Sequence, residues 1–215
     1  MKIVSLIPAR KGSKGIKNKN LIDLCGKPLI HYSIQASINS LVDETWVSSD
    51  SDEILETSKN LGSHTIKRPK ELSEDTSTSE SVLIHFAKKT EFDILVFIQC
   101  TVPLIKSEDI NKGIEKMKNF DSVVSVTETT QMFWDSNGPL YNINNRLRRQ
   151  NSLKRYLETG SIFITTKKNL IKSSNRLSGK IGFLEIPKHR SFDIDDYDDL
   201  KIIKAIINSN EFNNE

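Results

Sequence analysis

The residues with the clearest chemical potential form a basic segment near the amino terminus. Residues 7–20 read IPARKGSKGIKNKN, with five cations, two glycines and no acid. Gly12 and Gly15 let backbone N–H groups approach a ligand closely. The cations suited to charge-assisted hydrogen bonds with phosphate oxygens are Arg10, Lys14 and Lys19. The spacing of GSKG fits neither a P-loop nor a dinucleotide fingerprint. The segment indicates polyphosphate binding, and a solvated basic loop is the alternative interpretation.

An acidic segment, FDIDDYDD, lies at the other end of the chain, at residues 192–199. In an extended backbone, Asp193 and Asp195 face one side, and Phe192 and Ile194 face the other. Mg²⁺ prefers hard oxygen ligands, and it commonly takes one or two carboxylates together with waters and substrate phosphates. The pair therefore predicts a magnesium site. The acids expected instead to stabilise the start of a following helix are Asp196, Asp198 and Asp199.

Other side chains with catalytic potential give weaker signals. Cys25 and Cys100 lie far apart without a CxxC pattern, so they predict neither a disulfide framework nor a zinc site, and we expect both to be buried. Histidine is the commonest general base, but each histidine falls on a predicted helix, strand or turn where a structural role is expected. These residues are His31, His64, His85 and His189.

Composition limits the class of protein. The chain has 215 residues, 36% hydrophobic and 27% charged, which suits one well-cored domain spanning residues 1–215. A formal net charge of +3 is too small to suggest nucleic-acid binding. The opening KIVSLI is followed at once by Pro8 and Arg10, unlike a signal peptide, and no stretch approaches the roughly 20 apolar residues of a membrane span. We expect a cytoplasmic protein with no membrane partner.

The elements that must position these residues alternate along the chain. Apolar, β-branched runs predict strands at residues 3–7, 45–49, 93–98, 122–126 and 161–165. Helical patterns predict helices at about residues 28–40, from a cap at residues 50–51 to Gly62, from a Ser77–Glu80 capping box, from a cap at Ser107, and at about 200–207. Such alternation indicates a three-layer, Rossmann-like α/β domain with a mostly parallel sheet. In such folds ligands bind beyond the carboxyl ends of the strands, where the basic segment begins.

Residues 129–159 interrupt the alternation. They combine aromatic residues, an Asn-Gly turn signal and five cations. A structureless loop of this length is uncommon unless it binds something, and exposed apolar side chains of this kind often mark an interface. We interpret the segment as an inserted arm, with folding back onto its own domain as the alternative.

Six motifs together resemble a known family. IPARKGSKGIKNKNL, GKPLI, RPKELSEDTSTS, IQCTVPL, ETGSIFI and FDIDD follow in the order seen in acylneuraminate cytidylyltransferases, also called CMP-sialic acid synthetases. The similarity covers nearly the whole chain. Cytidylyltransferases for 3-deoxy-manno-octulosonate share the IPAR-like start and GKP, but KGIKNKN is closer to the acylneuraminate branch. Cys100 and Val102 depart from the Pro and Ser usual in that family.

The resemblance implies a nucleotidyltransferase fold and a set of site residues. Catalytic roles fall to Arg10, Lys14, Lys19 and Asp195. CTP would contact Arg10, Gly12, Ser13, Lys14, Lys19, Asn20, Arg68, Ser77 and Ser79, with Asn20 near the ribose. The sugar acid would contact Gln99, Thr101, Arg149, Tyr156 and Gly160. Asp193 and Asp195 would bind Mg²⁺, and the arm would pack on a second subunit of a homodimer.

The expected reaction is attack by a hydroxyl of a nonulosonic acid, a 2-keto sugar acid, on the α-phosphorus of CTP, with release of pyrophosphate. Catalysis would rest on positioning and on neutralising phosphate charge. Arg148, Arg149 or Lys154 is expected to bind the carboxylate of the sugar acid, unless these cations only solvate the arm. Two alternatives stay open: a nucleotidyltransferase or glycosyltransferase for another sugar or nucleotide, and a nucleotide-binding protein without activity.

Overall fold

The computed structural model describes residues 1–151 and 154–209, apart from the side chain of Arg149. The strands are β1 (Ile3–Pro8), β2 (Asp23–Leu24), β3 (Lys27–Pro28), β4 (Glu44–Ser49), β5 (His64–Lys67), β6 (Ile94–Ile98), β7 (Ser122–Thr129), β8 (Trp134–Asp135), β9 (Gly138–Pro139), β10 (Arg155–Thr166) and β11 (Ile181–Glu185). The α-helices are α1 (Leu29–Ile38), α2 (Asp52–Asn60), α3 (Ser79–Ala87), α4 (Ser107–Lys116), α5 (Lys167–Ser173) and α6 (Tyr197–Ile207).

A seven-stranded sheet organises the domain in the order β11-β7-β10-β6-β1-β4-β5. Its neighbouring strands run parallel except where β10 pairs antiparallel with β6 and β7. Helices cover both faces, and the central strand β6 is buried along its whole length. The expected three-layer, mostly parallel α/β fold is confirmed.

Two apolar clusters fill the spaces between the sheet and its helices. One joins strand residues such as Ile7 and Val96 to Ile34 and Ile110 on α1 and α4. The other joins Leu6, Phe97 and Phe163 to Leu83 and Phe86 on α3. The alternation of strand residues between the two clusters explains why the strands read as continuous apolar runs.

A third cluster lies at the carboxyl end of the sheet and positions the site. Ile16, from the basic segment, and Ile194, between the two metal-binding candidates, are both fully buried in it. Leu200 and Ile203 on α6 pack into the same cluster. Burial of these side chains ties the basic and acidic segments to one another through hydrophobic contact.

Helix starts differ from the sequence prediction at two places. Ser77 does not cap α3, because its hydroxyl donates to the Glu71 carbonyl (2.8 Å) and Thr78 accepts from the Ser81 N–H instead. Ser107 is the first residue of α4 and not its cap. There the N–H of Lys106 donates to the carboxylate of Asp109 (2.9 Å), so the acid three residues on stabilises the helix start.

The predicted α2 boundaries hold. Ser51 caps the helix with its side chain, and Gly62 follows the helix end with a φ of +95°. The last helix starts earlier than residue 200, at Tyr197. Asp196 is its N-cap and accepts from the N–H groups of Asp198 and Asp199, so the helix role expected for these three acids is confirmed.

The arm, residues 129–159, contains short strands. β7 and β10 stay paired beyond the part of β10 that pairs with β6, with Arg155 opposite Thr129 and Glu158 opposite Val126. The small hairpin of β8 and β9 follows β7. Residues 155–159 are therefore strand, which the sequence prediction missed. Within the described ranges, no helix has both the length and the apolar character needed to cross a membrane.

Candidate active site

A cleft of about 370 Å³ opens at the carboxyl ends of β1 and β6. It is lined by most of the predicted site residues: Arg10, Ser13, Lys14, Lys19, Asn20, Arg68, Ser77, Ser79, Gln99, Thr101 and Asp195. These residues come from segments far apart in sequence, and parallel strands bring them to one edge of the sheet. Gly12, Asp193, Tyr156 and Gly160 are not part of the lining, and the side chain of Arg149 lies outside the described residues.

The outer cations of the basic segment meet an acid from the opposite wall. Arg10 Nη1 lies 2.6 Å from Asp75 Oδ1, and Lys14 Nζ lies 3.2 Å from Asp75 Oδ2. The Arg10 and Lys14 bonds hold the pKa of the Asp75 carboxyl below its usual range. Sequence reasoning did not single out Asp75, although Asp75 lies within the RPKELSEDTSTS motif.

Lys19 connects the basic segment to the acidic one. Its ammonium donates to the Ile194 carbonyl (2.6 Å) and to Asp195 Oδ1 (3.1 Å). The side chain is only 12% exposed, so this ammonium is less free to follow a ligand than Lys14. The geometry makes Lys19 a support for Asp195 as well as a source of positive charge in the cleft.

Asn20 and Cys100 support the basic segment through a chain of two hydrogen bonds. Asn20 is buried, and its Nδ2 donates to the Arg10 carbonyl at 2.8 Å. The Cys100 thiol donates to Asn20 Oδ1, also at 2.8 Å. Burial raises the pKa of Cys100 to about 12, so the thiol keeps its proton and stays a donor. The ribose contact implied for Asn20 stays a prediction.

The two cysteines differ in environment. Cys100 is buried, as expected, but Cys25 is only half-buried. Cys25 occupies the turn between β2 and β3 with a φ of +53°, and it packs at the edge of the third cluster. The tight two-residue ladder of that hairpin leaves Cys25 partly exposed, which a count of cysteines does not reveal.

Arg68 is the most unusual polar residue of the lining. It is 5% exposed, and its Nε and Nη2 have no hydrogen-bond partner among the described residues. Burial lowers the pKa of Arg68, and the charge of Asp50 partly offsets that effect. A buried guanidinium without acceptors is costly, and a ligand with oxygen acceptors would satisfy it.

Two polar contacts hold the acidic segment in place. The N–H of Ile194 donates to the Thr101 carbonyl at 2.8 Å, which places Asp195 at the cleft. Upstream, Arg190 forms a buried two-pronged ion pair with Asp109 at the start of α4. Asp109 also accepts from the Lys106 N–H, so the acidic segment is attached to a helix terminus.

Asp193 and Asp195 fit a divalent cation as a donor set. Partial desolvation raises the pKa of Asp193, and the negative charge of Asp195 adds to the rise, whereas a hydrogen bond with Thr101 opposes it. A cation between the carboxylates would relieve this repulsion. Across residues 1–151 and 154–209, no three acidic, histidine or cysteine side chains form a metal cluster. A magnesium ion on this pair would take its other ligands from water and phosphate.

The side of the cleft next to β10 is shaped by a backbone irregularity. The pairing of β10 with β7 shifts register between Glu158 and Phe163, and Gly160 there has a φ of +70°. A Cβ atom on Gly160 would lie 3.9 Å from Gln99 Nε2, so Gly160 is next to the Gln99 side chain. The N–H of Gln99 in turn donates to the Ser161 carbonyl at 3.0 Å.

Hydroxyl groups hold this irregularity in place. Ser125, Thr159 and Ser161 form a cluster with Oγ–Oγ distances of 2.7 to 2.9 Å. The N–H of Ile162 also donates to Ser125 Oγ. The predicted residues Gln99 and Gly160 are therefore adjacent, and hydroxyls that sequence reasoning did not single out support them.

Tyr156 is not brought to this cleft. It lies on the part of β10 that belongs to the arm, where its ring is 5.2 Å from that of Phe183. No histidine lines the cleft among the described residues. Burial lowers the pKa of both His31 and His85, and His64 stacks on Trp46. That histidine supplies no general base stays a prediction.

Comparison with known proteins decides the family. The family model described as "Cytidylyltransferase" matches residues 4–210. The chain belongs to the cytidylyltransferase family. The resemblance identified from the motifs is thereby confirmed.

Individual relatives of this chain add detail. N-acylneuraminate cytidylyltransferase B of Danio rerio is 36% identical over 203 residues, covering 89% of this chain and 48% of the relative. The chain thus spans about half the length of that relative. Pseudaminic acid cytidylyltransferase of Campylobacter jejuni is 30% identical over 227 residues, covering 98% of both chains.

A solved structure confirms the fold. CMP:2-keto-3-deoxy-manno-octonic acid synthetase in complex with CTP superposes with a TM-score of 0.77 at 18% identity, covering 96% of this chain and 98% of that one. This similarity supports a Rossmann-like nucleotidyltransferase fold for the present chain.

Proposed function

We propose that this protein transfers the cytidylyl group of CTP to a nonulosonic acid. The observation that carries the proposal is Arg68, a buried guanidinium with unpaired donors at the wall of a cleft that is also lined by the basic segment and by Asp195. Relatives named for N-acylneuraminate and for pseudaminic acid support the class of acceptor.

In this function the chain binds and orients the nucleotide. Arg10 and Lys14 lie at the cleft mouth and bind the β- and γ-phosphates, together with N–H groups near Gly12 and Ser13. Arg68 donates to oxygen acceptors of the cytidine, and Ser77 and Ser79 line the same wall. A hydroxyl oxygen of the acid then forms a bond to the α-phosphorus, the bond from that phosphorus to pyrophosphate breaks, and the hydroxyl proton is released.

The acidic pair supplies the negative end of the site. Asp193 and Asp195 would hold Mg²⁺, which supplies charge neutralisation on the phosphates and acidifies a coordinated hydroxyl. Lys19 fixes Asp195 through its 3.1 Å contact. The Lys19 ammonium also stabilises the departing pyrophosphate.

The acceptor lies on the side of the cleft nearest β10. Gln99 and Thr101 line that side, backed by Gly160. Cations of the arm, Arg148, Arg149 or Lys154, bind the carboxylate of the acid. In the structure Lys154 pairs with Glu128 at 3.0 Å, which leaves the arginines as the better candidates.

The second subunit completes the acceptor side. The arm and the adjacent edge of the sheet expose an apolar surface: Trp134, Leu140, Ile143, Leu147, Tyr156, Leu157, Ile181 and Phe183. Such a surface suits the isologous contact of a two-fold homodimer. Because Tyr156 does not line the cleft of its own chain, it is proposed to reach the partner's site. A cytoplasmic location stays a prediction.

A matched pair of acidic variants tests this function. Asp195→Asn removes the charge of a proposed metal carboxylate at little steric cost, and we expect it to abolish magnesium-dependent pyrophosphate release from CTP while circular dichroism stays unchanged. Asp198→Asn removes an equal charge from the exposed Lys201 pair and should keep near-parental turnover. Equal activity of the two variants refutes the metal assignment.

A further inference from the structure

One carboxylate, that of Asp75, lies between the two outer cations of the basic segment. Its Oδ1 accepts from Arg10 Nη1 at 2.6 Å, and its Oδ2 lies 3.2 Å from Lys14 Nζ. Asp75 and Arg10 are 65 residues apart in sequence. The contact therefore joins the wall that holds the phosphate-binding cations to the wall that carries Ser77 and Ser79.

The position of Asp75 offsets the repulsion between Arg10 and Lys14. Two cations that converge on one polyphosphate repel each other when no anion separates them. A carboxylate that uses one oxygen for each cation offsets this repulsion and fixes the direction of both side chains. The guanidinium of Arg10 has five N–H donors, so a bond through Nη1 leaves others for a phosphate.

We propose that Asp75 is a positioning residue: it acts through Arg10 and Lys14 and holds both cations in the directions that the triphosphate of CTP requires. The proposal rests on the proposed function, because CTP supplies that triphosphate. Asp75 itself does not contact the reacting atoms.

The sign of the effect separates positioning from plain electrostatics. Asp75 is negative and stands at the mouth of a site for a polyanion, so removal of its charge alone should strengthen nucleotide binding. If Asp75 orients the cations, its removal should weaken binding despite the more favourable charge. Glu74 is the internal reference, because it lines the same cleft and forms no ion pair with any residue in the described ranges.

The experiment compares Asp75→Asn, Asp75→Glu and Glu74→Gln with the parent by calorimetry. The probes are CTP, CMP and inorganic tripolyphosphate. We expect D75N to weaken binding of CTP and of tripolyphosphate about tenfold, because misplaced donors lose much of their contribution. CMP should bind as before, since it lacks the β- and γ-phosphates. E74Q should bind CTP at least as tightly as the parent, and D75E should recover to within about threefold of it.

The outcomes divide cleanly. Tighter or unchanged CTP binding by D75N overturns the positioning role, as does equal weakening of CMP, which would indicate a general structural defect. Failure of the parent to bind tripolyphosphate also overturns it. If D75N weakens tripolyphosphate binding but the parent releases no pyrophosphate from CTP with any acid, the positioning role stands and the proposed function fails.

Discussion

A Cβ atom on Gly15 would lie 2.0 Å from the backbone carbonyl oxygen of Asp195. The basic and acidic segments therefore touch at a point where only glycine leaves enough room. Lys19 adds a polar contact beside it, with its ammonium 2.6 Å from the Ile194 carbonyl. The position of the proposed phosphate-binding cations and that of the proposed metal-binding carboxylates are thus set by one another.

Gly15→Ala should separate these two segments. The added methyl meets backbone and not a flexible side chain, so the acidic segment has to move, and overpacking of this kind costs about 1–3 kcal/mol. We expect a lower melting temperature and a loss of turnover of about tenfold or more. Gly12→Ala is the control for stability, because a Cβ there meets nothing within 4 Å. Equal melting temperatures of G15A and G12A would contradict the close contact.

Arg68→Met should make the protein more stable and weaken its binding of CTP. The guanidinium is buried with two nitrogens unpaired, so an apolar side chain of similar length should raise the free energy of unfolding by about 1–2 kcal/mol. The same change should weaken CTP binding strongly, because the proposed donors to the cytidine are lost. Denaturant unfolding and calorimetry measure the two effects. A variant that is both less stable and normal in CTP binding would show that Arg68 is a structural residue.

Asp109→Asn should loosen the acidic segment from α4. Arg190 and Asp109 are 8% and 3% exposed, and removal of one charge from a buried pair costs about 3 kcal/mol or more. Glu108→Gln, at the exposed neighbouring position, removes the same charge and should unfold like the parent. Urea unfolding compares the two. A D109N variant as stable as E108Q would mean that the pair contributes nothing to the fold.

Subunit mixing should reveal whether the arm serves the partner's site. We expect Tyr156→Ala and Asp195→Asn to be inactive alone, since each lacks one part of a shared site. Heterodimers formed by exchange would contain one site with both parts intact, and partial activity should return. Absence of recovery despite demonstrated exchange would confine each site to one chain, and a purely monomeric protein at micromolar concentration would exclude the arrangement.

Much of the fold was predictable because strand burial leaves a local signal. β6, at the centre of the sheet, is apolar on both faces, and the cap at Ser51 and the glycine at residue 62 mark both ends of α2. Ser77 shows where such signals fail. Several neighbouring hydroxyl residues could cap α3. Ser77 instead donates its hydroxyl to the Glu71 carbonyl, and Thr78 takes the cap position.

The cleft was predictable as two charged poles, but not as a network. Arg10 and Asp195 stand out by residue type and spacing, whereas Asp75 is one acid in a polar stretch until the fold brings it to Arg10. Arg190 likewise resembles a surface cation, yet it is buried against Asp109. Contacts between distant segments leave no periodic pattern in the sequence, so only the folded chain identifies these partners.

The most direct measurement of the central claim is pyrophosphate release with each nucleoside triphosphate and each candidate acid. Purified protein with Mg²⁺ would be given CTP, UTP, ATP or GTP together with N-acetylneuraminate, pseudaminate or 3-deoxy-manno-octulosonate, and products would be identified by mass spectrometry. We predict release with CTP and a nonulosonate, with the CMP-sugar as product and no comparable release from the other nucleotides. Equal release from ATP or UTP, release only with 3-deoxy-manno-octulosonate, or CTP binding without turnover on any acid would contradict the proposed function.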